Sequence, residues 1–121
     1  MTHRLAIPQI KGNITIRKIE DIVYFQADES ICLVNLINGE KLISTLPLNH
    51  YTNLLEEDYN FFSISRSLLI NLKYLSDYNN VDLEIKLSND FTLSLSRRGA
   101  KKLRDFLFEN TLLTDIKDDI K

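Results

Sequence analysis

The step Asn38-Gly39, set between the apolar runs at residues 31–36 and 41–45, constrains this chain more than any other feature. Asparagine and glycine both tolerate the positive φ that a type I′ turn demands, so the pair predicts a two-stranded antiparallel hairpin. Strand patterns extend the reading in both directions. Ile14 and Ile16 alternate with Thr15 and Arg17, and Ile22-Val23-Tyr24-Phe25-Gln26 forms a further apolar run. Val81, Leu83, Ile85 and Leu87 alternate with Asp82, Glu84 and Lys86. After Ser88-Asn89-Asp90 the alternation resumes as Phe91, Leu93 and Leu95, which predicts a second hairpin with one dry and one wet face.

Two segments carry helical spacing. Pro47 suits a first helical turn, with Leu48, Tyr51, Leu54 and Leu55 behind it. Ser96 is placed as an N-cap ahead of a stripe formed by Ala100, Leu103, Phe106, Leu107 and Leu113. Between the helices, the strand-like runs at residues 61–64 and 68–75 are separated by Ser65-Arg66-Ser67. The expected architecture is therefore mainly β, with elongated antiparallel sheets, short helices and one helix at the C-terminal end. Residues 1–20 are read as an N-terminal strand and lead-in, 21–113 as one domain, and 114–121 as a frayed tail.

Chemistry-bearing constellations are sparse. His3 and His50 are the only histidines, and neither stands at metal-ligand spacing with Cys32 or a carboxylate pair. Cys32 lies inside an apolar run, where a cysteine behaves as a small buried hydrophobe. With three glycines, the chain has no phosphate-cradling glycine loop, and Ser94 and Ser96 read as strand and cap residues. No catalytic residue, metal or cofactor is expected. The longest apolar runs are too short to cross a bilayer and no signal-peptide core follows the N-terminus, so a cytoplasmic location away from membranes is expected.

Charge is unevenly distributed. The formal net charge is −2, yet Arg97, Arg98, Lys101, Lys102 and Arg104 fall within eight residues that hold no acid. If Ser96 caps a helix, Arg97 and Arg98 occupy its first turn, where unpaired N–H groups already point outward and the dipole is positive. Cations there concentrate positive potential, an arrangement that a phosphate backbone completes and that a solvated basic face also explains. Gly99 would leave room for a close approach, or be an accident of packing. In Ser65-Arg66-Ser67 the guanidinium fork can grip guanine O6 and N7, or a phosphate. The loop Asp28-Glu29-Ser30 is acidic and can accept from cytosine N4, though water is the commoner partner.

Taken together, residues 21–107 resemble the LytTR-type DNA-binding domain of LytR/AlgR-like transcriptional regulators. Ile22-Val23-Tyr24-Phe25-Gln26-Ala27 is similar to the opening strand, and Phe61-Phe62-Ser63-Ile64-Ser65-Arg66-Ser67-Leu68-Leu69-Ile70-Asn71 to the central signature; Phe91-Thr92-Leu93-Ser94-Leu95-Ser96-Arg97 continues it. The resemblance implies loops that enter successive major grooves at paired direct repeats, with two protomers on double-stranded DNA. It implies base contacts from Arg66 and Arg98, and a first contact loop near Ser30, where the acidic Asp28 and Glu29 depart from the pattern. Arg97, Lys101, Lys102 and Ser67 are the expected phosphate contacts, and Asn71 is expected to tie loop backbone. A sensor or regulatory protein is a further expected partner. Only about twenty residues precede the match, so a receiver domain has no room, which leaves a stand-alone regulator or an excised domain, the Met1 start favouring the former. The alternative reading is a protein-interaction β module without DNA binding.

Overall fold

A computed structural model describes residues 3–88 and 91–113. The turn Ser88-Asn89-Asp90 and the tail 114–121 therefore lie partly or wholly outside the described residues. Ten strands and two α-helices are described: β1 (Arg4–Pro8), β2 (Ile14–Lys18), β3 (Ile22–Asp28), β4 (Ile31–Leu36), β5 (Lys41–Ser44), α1 (Leu48–Leu55), β6 (Phe61–Ser65), β7 (Leu68–Asn71), β8 (Leu75–Asn79), β9 (Glu84–Leu87), β10 (Phe91–Ser94) and α2 (Arg97–Glu109). They form a five-stranded sheet in the order β5-β4-β3-β7-β6, a three-stranded sheet β10-β9-β8 and a two-stranded ribbon β1-β2. Every pairing between these strands is antiparallel.

The five-stranded sheet separates two cores. Phe25, Val34, Leu42 and Leu69 face Leu5 and Ile7 of the ribbon and Leu48, Tyr51 and Leu55 of α1. The opposite core joins Tyr24, Ile64, Leu68 and Ile70 to Ile85 and Leu87 of the small sheet and to Ala100 and Leu103 of α2. Strand periodicity explains the division, because residues two apart share a face. A register shift between Ile22 and Tyr24 breaks that alternation, so the consecutive Val23 and Tyr24 share the second core while Ile22 joins the first.

Local chemistry corrects four expectations. Asn38-Gly39 does form a hairpin, but with a three-residue loop: Gly39 N donates to Leu36 O at 3.0 Å and only the glycine takes a positive φ, of 92°. Asn38 Oδ1 instead accepts from Glu40 N at 2.9 Å, so this asparagine acts through its side chain. The alternation at residues 81–87 becomes strand only from Glu84. Asn79 Oδ1 accepts from the N–H groups of both Val81 and Asp82 at 2.9 Å, Leu83 adopts φ 54°, and Val81 is left 88% exposed. The run at 68–75 is broken by a 3₁₀ turn, Leu72–Tyr74. Buried Asn71 imposes that turn: its Oδ1 accepts from Lys73 N at 3.0 Å and its Nδ2 donates to Ile22 O at 2.9 Å. Pro47 stands just before α1 rather than within it, and Leu54 points outward.

Candidate nucleic-acid interface

Two tight turns lie at one end of the five-stranded sheet because β3 pairs antiparallel with both β4 and β7. Asp28 pairs with Ile31, so Glu29 and Ser30 alone make the β3–β4 turn, with Glu29 at φ 57°. Gln26 pairs with Leu68, and Ala27 N donates to Ser67 O at 2.9 Å, which ties the β6–β7 turn to the end of β3. Asp28, Glu29, Ser30, Arg66 and Ser67 are all exposed on this edge.

The turn holding Arg66 is braced from within. Ser65 Oγ accepts from Ser67 N at 3.2 Å and lies 3.2 Å from Ser67 Oγ, while the pairing of β6 with β7 shifts register between Ser63 and Ser65. Two small hydroxyl residues thus close the loop through their own side chains and leave the guanidinium between them projecting.

α2 delivers the second cationic group to the same edge. Ser96 Oγ accepts from Gly99 N at 3.0 Å, capping the helix as its position in the sequence predicts. Gly99 is buried, and a Cβ placed on it would lie 2.7 Å from Ile64 Cγ2. The glycine therefore serves the contact between α2 and β6, and not an approach to an outside ligand. That contact sets the first turn of α2 beside Ile64, two residues before Arg66. Arg97 and Arg98 are exposed there, and with Arg66 they make no salt bridge among the described residues.

The two lysines differ from the arginines. Lys101 Nζ pairs with Asp105 Oδ2 at 2.7 Å, and holds the Asp105 carboxyl below the usual carboxylate range. Lys102 Nζ donates to Ser63 O and stands 5.4 Å from the centre of the Phe62 ring, so it ties α2 to β6. Nothing in the linear pattern separates Lys102 from its neighbours, since its partner lies 39 residues away. Gln26 is another residue the pattern does not mark: exposed beside the Arg66 turn, it carries the amide suited to adenine.

Reactive groups elsewhere are few. Cys32 is fully buried, and burial pushes its thiol up to about 12. Among the described residues, no cluster of three or more histidine, cysteine or acidic side chains is arranged to hold a metal ion, and no helix is long and apolar enough to cross a membrane.

The antiparallel β domain presents braced turns and an arginine-loaded helix start whose exposed cations a nucleic acid can contact. The family model for the LytTr DNA-binding domain matches residues 12–108, and the chain belongs to that family. Among solved structures, it is similar to the LytTr DNA-binding domain of a protein from Bacillus cereus described as a methyl-accepting/DNA response regulator, with a TM-score of 0.70 at 18% identity, covering 86% of this chain and 95% of that one. At this identity the likeness speaks for the fold. Comparison with curated proteins returns no match. Family membership supports DNA binding by a regulator as the activity of the chain.

Proposed function

We propose that the chain binds duplex DNA sequence-specifically as a transcriptional regulator in the cytoplasm, its turns entering successive major grooves at direct repeats occupied by two protomers. The observation that carries this reading is the contact of Gly99 with Ile64, which sets the start of α2, with exposed Arg97 and Arg98, beside the strand that leads into the turn holding exposed Arg66. Exposed arginines that form no salt bridge among the described residues are free to exchange water for nucleic acid.

Arg66 and Arg98 read base edges, with the guanidinium fork bidentate on guanine. Arg97 and Ser67 contact phosphate. Lys101 and Lys102 add to the positive potential, but each reaches phosphate only by leaving Asp105 or Ser63 O. In the β3–β4 turn, Asp28 and Glu29 repel the backbone and accept from cytosine amino groups, and Ser30 supplies a hydroxyl. Acidic residues here steer that turn toward bases.

The test is enrichment of a random duplex library on the purified protein at near-physiological salt, with an Arg66→Ala/Arg98→Ala double variant in parallel. The reading expects a direct-repeat motif from the native chain that disappears with the double variant. On the enriched site, Arg98→Ala costs about 1–3 kcal/mol and relaxes specificity at one position. Enrichment from neither protein would sink the reading in favour of a protein-interaction module.

A further inference from the structure

The β1-β2 ribbon packs Leu5 and Ile7 into the first core and turns its other face to solvent. Cross-strand register determines what that outer face displays: Arg4 opposite Lys18, Ala6 opposite Ile16 and Pro8 opposite Ile14. Outward positions of a half-buried ribbon are ordinarily polar. Here Ile14 is 63% and Ile16 49% exposed, two of the nine large apolar side chains exposed among the described residues. Like charges set directly opposite each other, as Arg4 and Lys18 are, destabilise an antiparallel pair. Neither cation forms a salt bridge among the described residues, whereas Arg17 on the inner face pairs with Glu40 at 2.7 Å.

Two further facts define the occupant. Within its sheet β2 has a neighbour on one side only, so its other edge offers backbone N–H and C=O groups to an added strand, apart from Ile16 O, which accepts from Arg17 Nη1 at 3.0 Å. Residues 1–19 contain no acid at all. A second copy of the ribbon would set cation against cation, and duplex DNA offers apolar surface only at scattered thymine methyl groups, too little to cover two isoleucines.

We propose that the outer face and free edge of β2 form a docking site for an extended protein segment carrying an acidic side chain and aliphatic side chains at every second position. Added alongside β2, such a strand sets its carboxylate beside Lys18, with Arg4 one strand further on, and its aliphatic groups against Ile14 and Ile16. The partner's carboxylate supplies the charge that the Arg4–Lys18 pair lacks. This site uses residues other than the arginines of the proposed DNA interface and does not rest on the DNA reading.

The probe is a capped seven-residue peptide, ETVTVTE, titrated into the full ¹⁵N-labelled chain and followed by amide shifts. A lysine version, KTVTVTK, a random-sequence duplex and phosphatidylglycerol vesicles are run beside it. The expected result is saturable shifts at residues 4–18 from the glutamate peptide alone, weakened at least tenfold by Ile14→Ser/Ile16→Ser and unchanged by Arg66→Ala/Arg98→Ala. Lys18→Glu has a double signature: it raises the melting temperature of the free protein and abolishes binding of the glutamate peptide. A folded Lys18→Glu variant that melts lower than the native chain overturns the charge argument. Absent shifts, equal shifts from the lysine peptide, or ribbon shifts caused by the duplex or the vesicles overturn the docking site.

Discussion

Replacing Gly99 by alanine tests the joint that aims the arginines. The added Cβ would stand 2.7 Å from Ile64 Cγ2 and 3.2 Å from Ser96 Oγ, whereas carbon atoms in good contact lie about 3.5–4.0 Å apart. Ile64 is β-branched and buried, so its methyl cannot swing away freely, and either the strand or the helix must give. Overpacking of this kind costs about 1–3 kcal/mol. Exchanging glycine for alanine within a helix returns about 1 kcal/mol, so the net expectation is a loss of about 1 kcal/mol and a melting temperature lower by roughly 4 °C. Ile64→Ala alone empties a buried site and costs about 2–5 kcal/mol. The double variant removes the clash and partly fills the hole, so it should lose about 1 kcal/mol less than the sum of the single losses. Thermal and urea melts followed by far-UV circular dichroism measure all four proteins. A Gly99→Ala protein as stable as the native chain, or strict additivity in the cycle, would refute the close-packing argument.

Further outcomes follow from buried and paired groups. Asn35 is 2% exposed and its Nδ2 has no hydrogen-bond partner among the described residues, so Asn35→Val should stabilise by about 1 kcal/mol in urea melts; a loss would point to a partner for that amide. Cys32, with its thiol pushed up to about 12 and fully buried, should react with a thiol reagent at pH 8 only at the rate of unfolding, and labelling as fast as a free cysteine would contradict its place in the core. The Arg17 guanidinium, bonded to Glu40 at 2.9 and 2.7 Å, holds the Glu40 carboxyl below the usual carboxylate range. Folding therefore favours the ionised form. Its contribution is complete above the ordinary carboxylate range and is lost as pH falls through the lowered folded-state value. Arg17→Met should remove that part of the acid dependence of stability, and an unchanged pH profile would show that the pair contributes nothing measurable.

The mainly antiparallel fold and both helices were legible because periodicity and capping are local. Ser96 announces α2 by its place before the apolar stripe, and Asn71 announces itself through the signature it closes. Other features depend on distant partners. Strand β1 escapes notice because Leu5 and Ile7 gain their meaning only from α1 and the sheet they cover. Residues 81–83 imitate a strand by alternation, yet the side chain of Asn79 accepts from the N–H groups of Val81 and Asp82 and bends the segment into a turn. At the candidate interface, residue type and charge are enough to mark Arg66, Arg97 and Arg98. Their convergence could not be read from the chain, since it depends on β3 pairing with β7 and on Gly99 meeting Ile64. The same separation conceals Lys102, whose carbonyl partner at Ser63 belongs to another element.

Amide shifts of the ¹⁵N-labelled chain on addition of its enriched duplex locate the DNA-binding edge most directly. The account predicts that the largest shifts fall at residues 28–30, 65–67 and 96–99, with only smaller shifts in the ribbon at 4–18. Shifts centred on the ribbon, or spread without preference for the two turns and the start of α2, would contradict it.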